Sequence, residues 1–294
     1  RMSLADIKIS LCEKALKKSG QNASKDRLLL RLLEEGAKLW DTKKLSTQWQ
    51  SILKSNAQFI SLWVKYLDFR QTEFLDFTYA RCMATFVDCL QLNLTSPSEP
   101  EKVHVQDYLF LRLTLFIREA GFTEHAVGLW QAVLESTLFR PDELSLSHNQ
   151  EKAMSSFLEF WESEVARIGD IGAKGWKSSS PPLQPTVSSS MSRLNSKSIF
   201  ASWAVCEREM ALDARTPARS LDESDHDDPY RVIISSDLEE FLPLVWNLNS
   251  TDGLLDSFLY FCHLPPLISP ANVETTSQWA GDNFLRNEFV GNFS

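Results

Sequence analysis

Between residues 3 and 168 apolar side chains recur three and four positions apart, and no run of strict apolar–polar alternation competes with them. That period predicts helices over 4–18, 25–39, 42–54, 59–73, 76–91, 104–120, 123–138 and 150–168. The punctuation agrees: Gly20 follows the first helix, Gly121 parts the sixth from the seventh, and Pro141 follows the seventh. The helices fall into pairs of similar register. Leu30 and Leu33, Trp63 and Tyr66, Phe110 and Leu113, and Phe157 and Phe160 take equivalent places in the first helix of successive pairs. The intervals are 33 residues from Leu30 to Trp63, then 47 to Phe110 and 47 to Phe157. The extra length lies in the polar loops NLTSPSEPEK and RPDELSLSHNQEK. Each second helix then places an apolar residue 19 positions beyond its anchor, at Trp49, Cys82 and Leu129.

A helix pair of about 34 residues, repeated with loops of varying length, is the pattern of a tetratricopeptide-like array. The expected fold is therefore all-α, an α-solenoid of stacked antiparallel helix pairs. The stretch Leu62–Phe69, LWVKYLDF, shows the pattern at its strongest, with Trp63, Tyr66 and Phe69 on one side of a helix. A lone pair cannot bury such a stripe. Stacked neighbours can, at about 1.5–3 kcal/mol for each large side chain removed from water. The stripe is thus read as core rather than as a stacking platform for a ligand. Phe110, Trp130, Phe157, Phe160 and Trp203 join it as repeat-core anchors.

Past residue 168 the composition shifts. Gly, Ser and Pro dominate IGDIGAKGWKSSSPPLQPTVSSSMSRLNSKS, and 177–198 reads as a flexible linker. A helix over SIFASWAVCEREMALDAR follows, in which Trp203 falls 46 residues after Phe157. An acidic loop occupies 221–228, and 236–247 and 253–263 read as further short helices, the last ended by the proline pair in HLPPL. Three segments result: helical repeats over 1–176, a linker over 177–198, and a further helical segment over 199–294.

Composition narrows the function. The 294 residues carry 39 acidic and 30 basic side chains, a net charge of -9, which is a poor start for a chain that must neutralise phosphates. Protein partners suit it better. The five cysteines (Cys12, Cys82, Cys89, Cys206 and Cys262) form no CxxC pair, as expected of reduced thiols in an intracellular setting. No apolar run is long enough to span a bilayer, and a chain opening on Arg1 without an apolar leader reads as part of a longer protein.

Catalytic groupings are missing. The sequence holds no GxSxG, P-loop, HExxH or dinucleotide fingerprint, and its five histidines are scattered. No catalytic, cofactor-binding or metal-binding residue is assigned, and the chain is not read as an enzyme. The acidic run Asp222–Asp228 lacks the order of a calcium loop and reads as a solvated segment.

The paired segments FLRLTLFIREAG with AVGLWQAVLE (110–121 and 126–135), and LWVKYLDFRQTE with YARCMATFV (62–73 and 79–87), resemble the half-a-tetratricopeptide (HAT) repeat of RNA-processing scaffolds. Three further segments, FWESEVARIGDIGAKGWK (160–177), DPYRVIISSDLEEFLPLVW (228–246) and LLDSFLYFCHLPP, occur in the order found in the nuclear RNAi-defective-2 family, known as necessary for RNA interference. The resemblance covers most of residues 25–265. It implies a nuclear HAT-repeat protein of RNA surveillance and splicing. It also implies protein partners among RNA-processing, spliceosomal or exosome-helicase-associated factors, with RNA engaged indirectly.

Trp176 is the residue singled out for function, because Gly169, Gly172 and Gly175 precede it in a loop where no helical period demands an aromatic. It is either a staple between repeats, the favoured reading, or a contact for a partner. Trp279 and Phe284 pose the same choice, so all three are candidate partner-binding residues. Direct RNA binding through a basic groove is the alternative function, prompted by Lys14, Lys17, Lys18, Lys25, Lys43 and Lys44. Self-association through one end of the array, giving a homo-oligomer, is a third.

Overall fold

A computed structural model describes residues 3–19, 25–73, 77–95, 99–145, 150–170, 172–178, 199–213, 217–220, 229–246 and 251–264. The helices are α1 (Leu4–Ser19), α2 (Lys25–Gly36), α3 (Thr42–Ser55), α4 (Ile60–Thr72), α5 (Tyr79–Leu94), α6 (Glu99–Glu119), α7 (Thr123–Leu138), α8 (Asp142–Ser145), α9 (Gln150–Glu162), α10 (Ile199–Asp213), α11 (Ser236–Glu239), α12 (Leu242–Val245) and α13 (Thr251–Phe261). Among the described residues there is no strand, only an isolated bridge between Ala218 and Val232. The fold is all-α, as the period required.

The chain forms two compact units, one from Arg1–Leu109 with Asp252–Ser294 and one from Phe110–Thr251. The first division falls inside α6.

In the first unit α1 lies along α2, and α2, α3, α4 and α5 pack on their neighbours in sequence. Side chains start these helices. Ser3 and Asp6 cap α1 reciprocally, the Asp6 amide donating to Ser3 Oγ at 3.1 Å and the Ser3 amide to Asp6 Oδ2 at 2.9 Å. Asp41 accepts the Lys44 amide at 2.7 Å to begin α3. The aromatic stripe of α4 packs inward. Trp63 is fully buried and donates its indole N–H to the Ala57 carbonyl at 2.7 Å. Tyr66 and Phe69 lie on Trp49 of α3, with ring centroids 5.6 and 6.3 Å away. Burial pushes the Tyr66 phenol up to about 12. Cys82 and Cys89 are buried thiols on α5.

Buried charge is handled in two opposite ways here. Glu35 of α2 is enclosed yet meets Lys8 at 3.0 Å, Lys38 at 2.8 Å and Arg31 at 3.3 Å, and the hydrogen bond from Lys38, then that from Lys8, holds its carboxyl below the usual range. Asp107 of α6 has no such help. Every residue from 105 to 117 is buried, and neither Asp107 oxygen has a hydrogen-bond partner, so desolvation raises its pKa well above the carboxylate range.

In the second unit α7 is buried from Leu129 to Ser136 and occupies the centre. Phe110 meets Trp130 edge-on at 4.8 Å, and the Trp130 indole donates to Thr114 Oγ1 at 2.9 Å. The short helices α11 and α12 and the turn Pro229–Arg231 also pack on α7.

Candidate functional site

The period that predicts α9 runs to 168, but the helix ends at Glu162. Two residues within that span stop it. Ser163 Oγ donates to the Phe160 carbonyl at 2.7 Å, and the Arg167 guanidinium donates to the Trp161 carbonyl at 3.0 Å while stacking 3.5 Å over the Trp161 ring. Carbonyls that the next helical turn would have used are thereby satisfied.

The loop that follows is pinned at both ends by one side chain. Glu135 of α7 accepts the Ile168 amide at 2.7 Å through Oε1 and the Trp176 amide at 2.8 Å through Oε2. Burial raises its pKa, and the two amide donors pull the other way. Gln131, one turn earlier, donates to the Ile168 carbonyl at 2.9 Å. Gly175 turns the chain with φ of 80°, and a Cβ there would stand 2.6 Å from Phe139 Cδ1.

Trp176 is 5% exposed and buried in an aromatic cluster. Its ring centroid lies 5.1 Å from Phe157, 6.3 Å from Phe160 and 6.3 Å from Trp246. Arg140 covers Trp246 at 4.6 Å and donates to its carbonyl at 3.2 Å. Trp176 is therefore a buried ring of this cluster and not an exposed partner contact. Trp279 and Phe284 lie outside the described residues.

The segment 229–246 closes the same cluster. The Trp161 indole donates to the Ile233 carbonyl at 2.9 Å, the Ser235 amide donates to Glu162 Oε1 at 2.7 Å, and His125 Nε2 donates to the Asp237 carbonyl at 3.1 Å. Gly128 makes the approach tolerable, since a Cβ on it would lie 3.0 Å from Ile233 Cγ2. The described residues of two segments that carry the family resemblance, 160–177 and 228–246, are thus both fastened to α7. The arrangement ties the carboxylates of Glu135, Glu162, Asp170 and Asp237 to backbone amides and stacks arginines on indoles. Among the described residues no group of three or more His, Cys, Asp or Glu is placed to hold a metal ion.

Of the other anchors, Phe110 and Phe157 are fully buried, Trp130, Phe160 and Tyr66 are buried, and Phe69 is half-buried. Trp203 departs from its expected role. It is 56% exposed on α10, beside Phe200 at 5.8 Å and next to the exposed Ile199. A second outward apolar side lies on α1, at Leu4, Ile7 and Leu11. Its three- and four-residue spacing was in the sequence, but period alone does not say which side of a helix is covered.

These observations meet the comparisons with known proteins. The family model described as NRDE-2, necessary for RNA interference, matches residues 1–267. The chain belongs to the NRDE-2 family. It is similar to the human protein named Nuclear exosome regulator NRDE2, 31% identical over 183 residues, covering 59% of this chain and 15% of that relative. The mouse protein of the same name is 30% identical over 183 residues. Similarity to the Schizosaccharomyces pombe protein named Protein NRDE2 homolog runs over 311 aligned positions at 25% identity, 97% of this chain and 31% of that relative. The chain therefore spans less than a third of the length of the family members it matches. No solved structure gives a significant match.

Proposed function

We propose that this part of an NRDE-2 family protein is a protein-docking scaffold acting in the nucleus, within a factor of RNA processing and surveillance, and that it performs no chemistry of its own. The observation that carries the reading is where the reactive-looking residues go. Glu135, Arg140, Arg167, Trp161 and Trp176 are consumed in fastening helices and loops to one another. What faces outward is apolar helix surface on α1 and α10. Exposed aromatic and aliphatic groups on rigid helices suit partner proteins. The relatives' printed name supports partners at the nuclear exosome; splicing and RNA-interference partners follow from the family resemblance alone.

Direct RNA binding is the competing reading, favoured by the exposed Lys14, Lys17, Lys18, Lys43 and Lys44. The net charge of -9 opposes it. Crosslinking of the tagged chain in nuclear extract, followed by mass spectrometry, and an RNA titration at two salt concentrations separate the two. The scaffold reading expects crosslinks to exosome-linked or spliceosomal proteins and little RNA affinity at physiological salt. Tight RNA binding with a steep salt dependence, and no protein crosslinks, would overturn it.

A further inference from the structure

Among the exposed residues of α1, Leu4, Ile7, Leu11, Lys14 and Lys18 share one side, while the exposed Glu13 lies away from it. Spacings of three, four, three and four form the seam by which one helix lies along another in a coiled coil. Cys12, on the far side of α1, faces the first unit and is 9% exposed, whereas Leu4, Ile7 and Leu11 are 69%, 45% and 59% exposed. Apolar side chains grouped on one exposed helix face mark a docking surface. The seam is also divided. Its first three positions are aliphatic and its last two are lysines, and the exposed Lys17 lies beside them. The negative end of the helix dipole accounts for cations in the last turn, which holds Lys17 and Lys18. It does not account for Lys14, nor for the aliphatic half.

We infer that the outward face of α1 docks one acidic amphipathic helix of a partner protein, running antiparallel to α1. In that direction the partner's N-terminal half carries Asp or Glu against Lys14 and Lys18, where its own helix dipole also favours acids, and its C-terminal half carries Leu or Ile against Leu11, Ile7 and Leu4. A second copy of this chain fits poorly. Parallel α1 helices set Lys14 against Lys14 and Lys18 against Lys18, and antiparallel ones set Lys18 against Leu4 and Lys14 against Ile7. The charge pattern thus selects a different, acidic helix. The inference deepens the scaffold reading and rests on it by giving the site and the chemistry of the partner.

The test uses three fluorescent helical peptides that differ only at five seam positions: acidic–apolar with two Glu then three Leu, the same with Lys for Glu, and the reversed order. Anisotropy titration against the chain is expected to favour the first peptide over the second several-fold, with binding weakened by salt. Ile7→Asp with Leu11→Asp should weaken it by about a hundredfold or more. Lys14→Glu with Lys18→Glu should switch preference to the lysine peptide, with circular dichroism checking that helix content holds. Equal binding of all three peptides overturns the inference, as does no binding. A sedimentation shift to dimer that Ile7→Asp abolishes would give the face to a second copy, and RNA bound through the lysines would give it to RNA. Protein crosslinks in nuclear extract that avoid Lys14, Lys17 and Lys18 would sink this inference while leaving the scaffold standing.

Discussion

Trp161 and Ile233 stand 72 positions apart, and the indole N–H of the first donates to the carbonyl of the second at 2.9 Å. The bond is buried and ties the end of α9 to the segment before α11. Trp161→Phe keeps most of the ring packing but leaves the carbonyl without its donor and removes part of the surface under Arg167. The expected loss is about 1–3 kcal/mol, the cost of one buried group left unpaired. Urea unfolding followed by fluorescence reads it; an unchanged midpoint would mean that the two segments are held elsewhere.

Glu135 allows a sharper test, because one carboxylate serves two amides. Glu135→Gln keeps an acceptor for one and turns an N–H toward the other. One unpaired amide costs about 1–3 kcal/mol, and Glu135→Ala, which strands both, should cost about twice as much. Hydrogen exchange should then show the Ile168 and Trp176 amides losing protection before the rest of α7. Uniform loss of protection would count against a clamp confined to this loop.

Much of this was legible in the sequence, and what was not has a common physical cause. The bounds expected for the helices α1, α3 and α7 agree with the structure within about a residue, because local period decides them, helped in α1 and α3 by side-chain caps. The end of α9 falls short of the expected 168 because Arg167 turns back on the Trp161 carbonyl and Glu135 holds the chain at Ile168, and a partner 33 positions away leaves no trace in local spacing. Trp176 was correctly placed in a loop by its glycines, but its burial depends on Trp246 and Phe157, which no motif joined to it. Trp203 has the anchor spacing and is nonetheless 56% exposed. Period reports that a side is apolar; only packing reports whether that side is buried.

That contrast predicts unequal costs for like substitutions. Trp63→Ala removes a fully buried indole and its bond to the Ala57 carbonyl, at about 3–5 kcal/mol. Trp203→Ala removes a ring that is 56% exposed and should change stability by no more than about 0.5 kcal/mol. Thermal melts of the two variants side by side check it. A large loss at Trp203 would show that its ring is covered in solution and return it to the core.

Asp107 carries the pH dependence. Its carboxyl is buried without a partner, so the folded chain holds the proton to higher pH than the unfolded chain does. Between the two pKa values the folded state binds more protons, and stability therefore falls as pH rises. The contribution is fully present below the unfolded carboxylate value, about pH 4, and is lost as pH climbs through the raised one. Glu35 works in the opposite sense, since its lowered pKa supports the fold above that value and fails as pH drops. Asp107→Leu removes the first effect alone. The variant should be more stable than the parent at neutral pH by about 1–3 kcal/mol, and its advantage should shrink steadily toward pH 4. Urea midpoints of both proteins at several pH values measure the gap. A gap that stays constant, or widens in acid, would mean that Asp107 is ionised and paired within the folded chain.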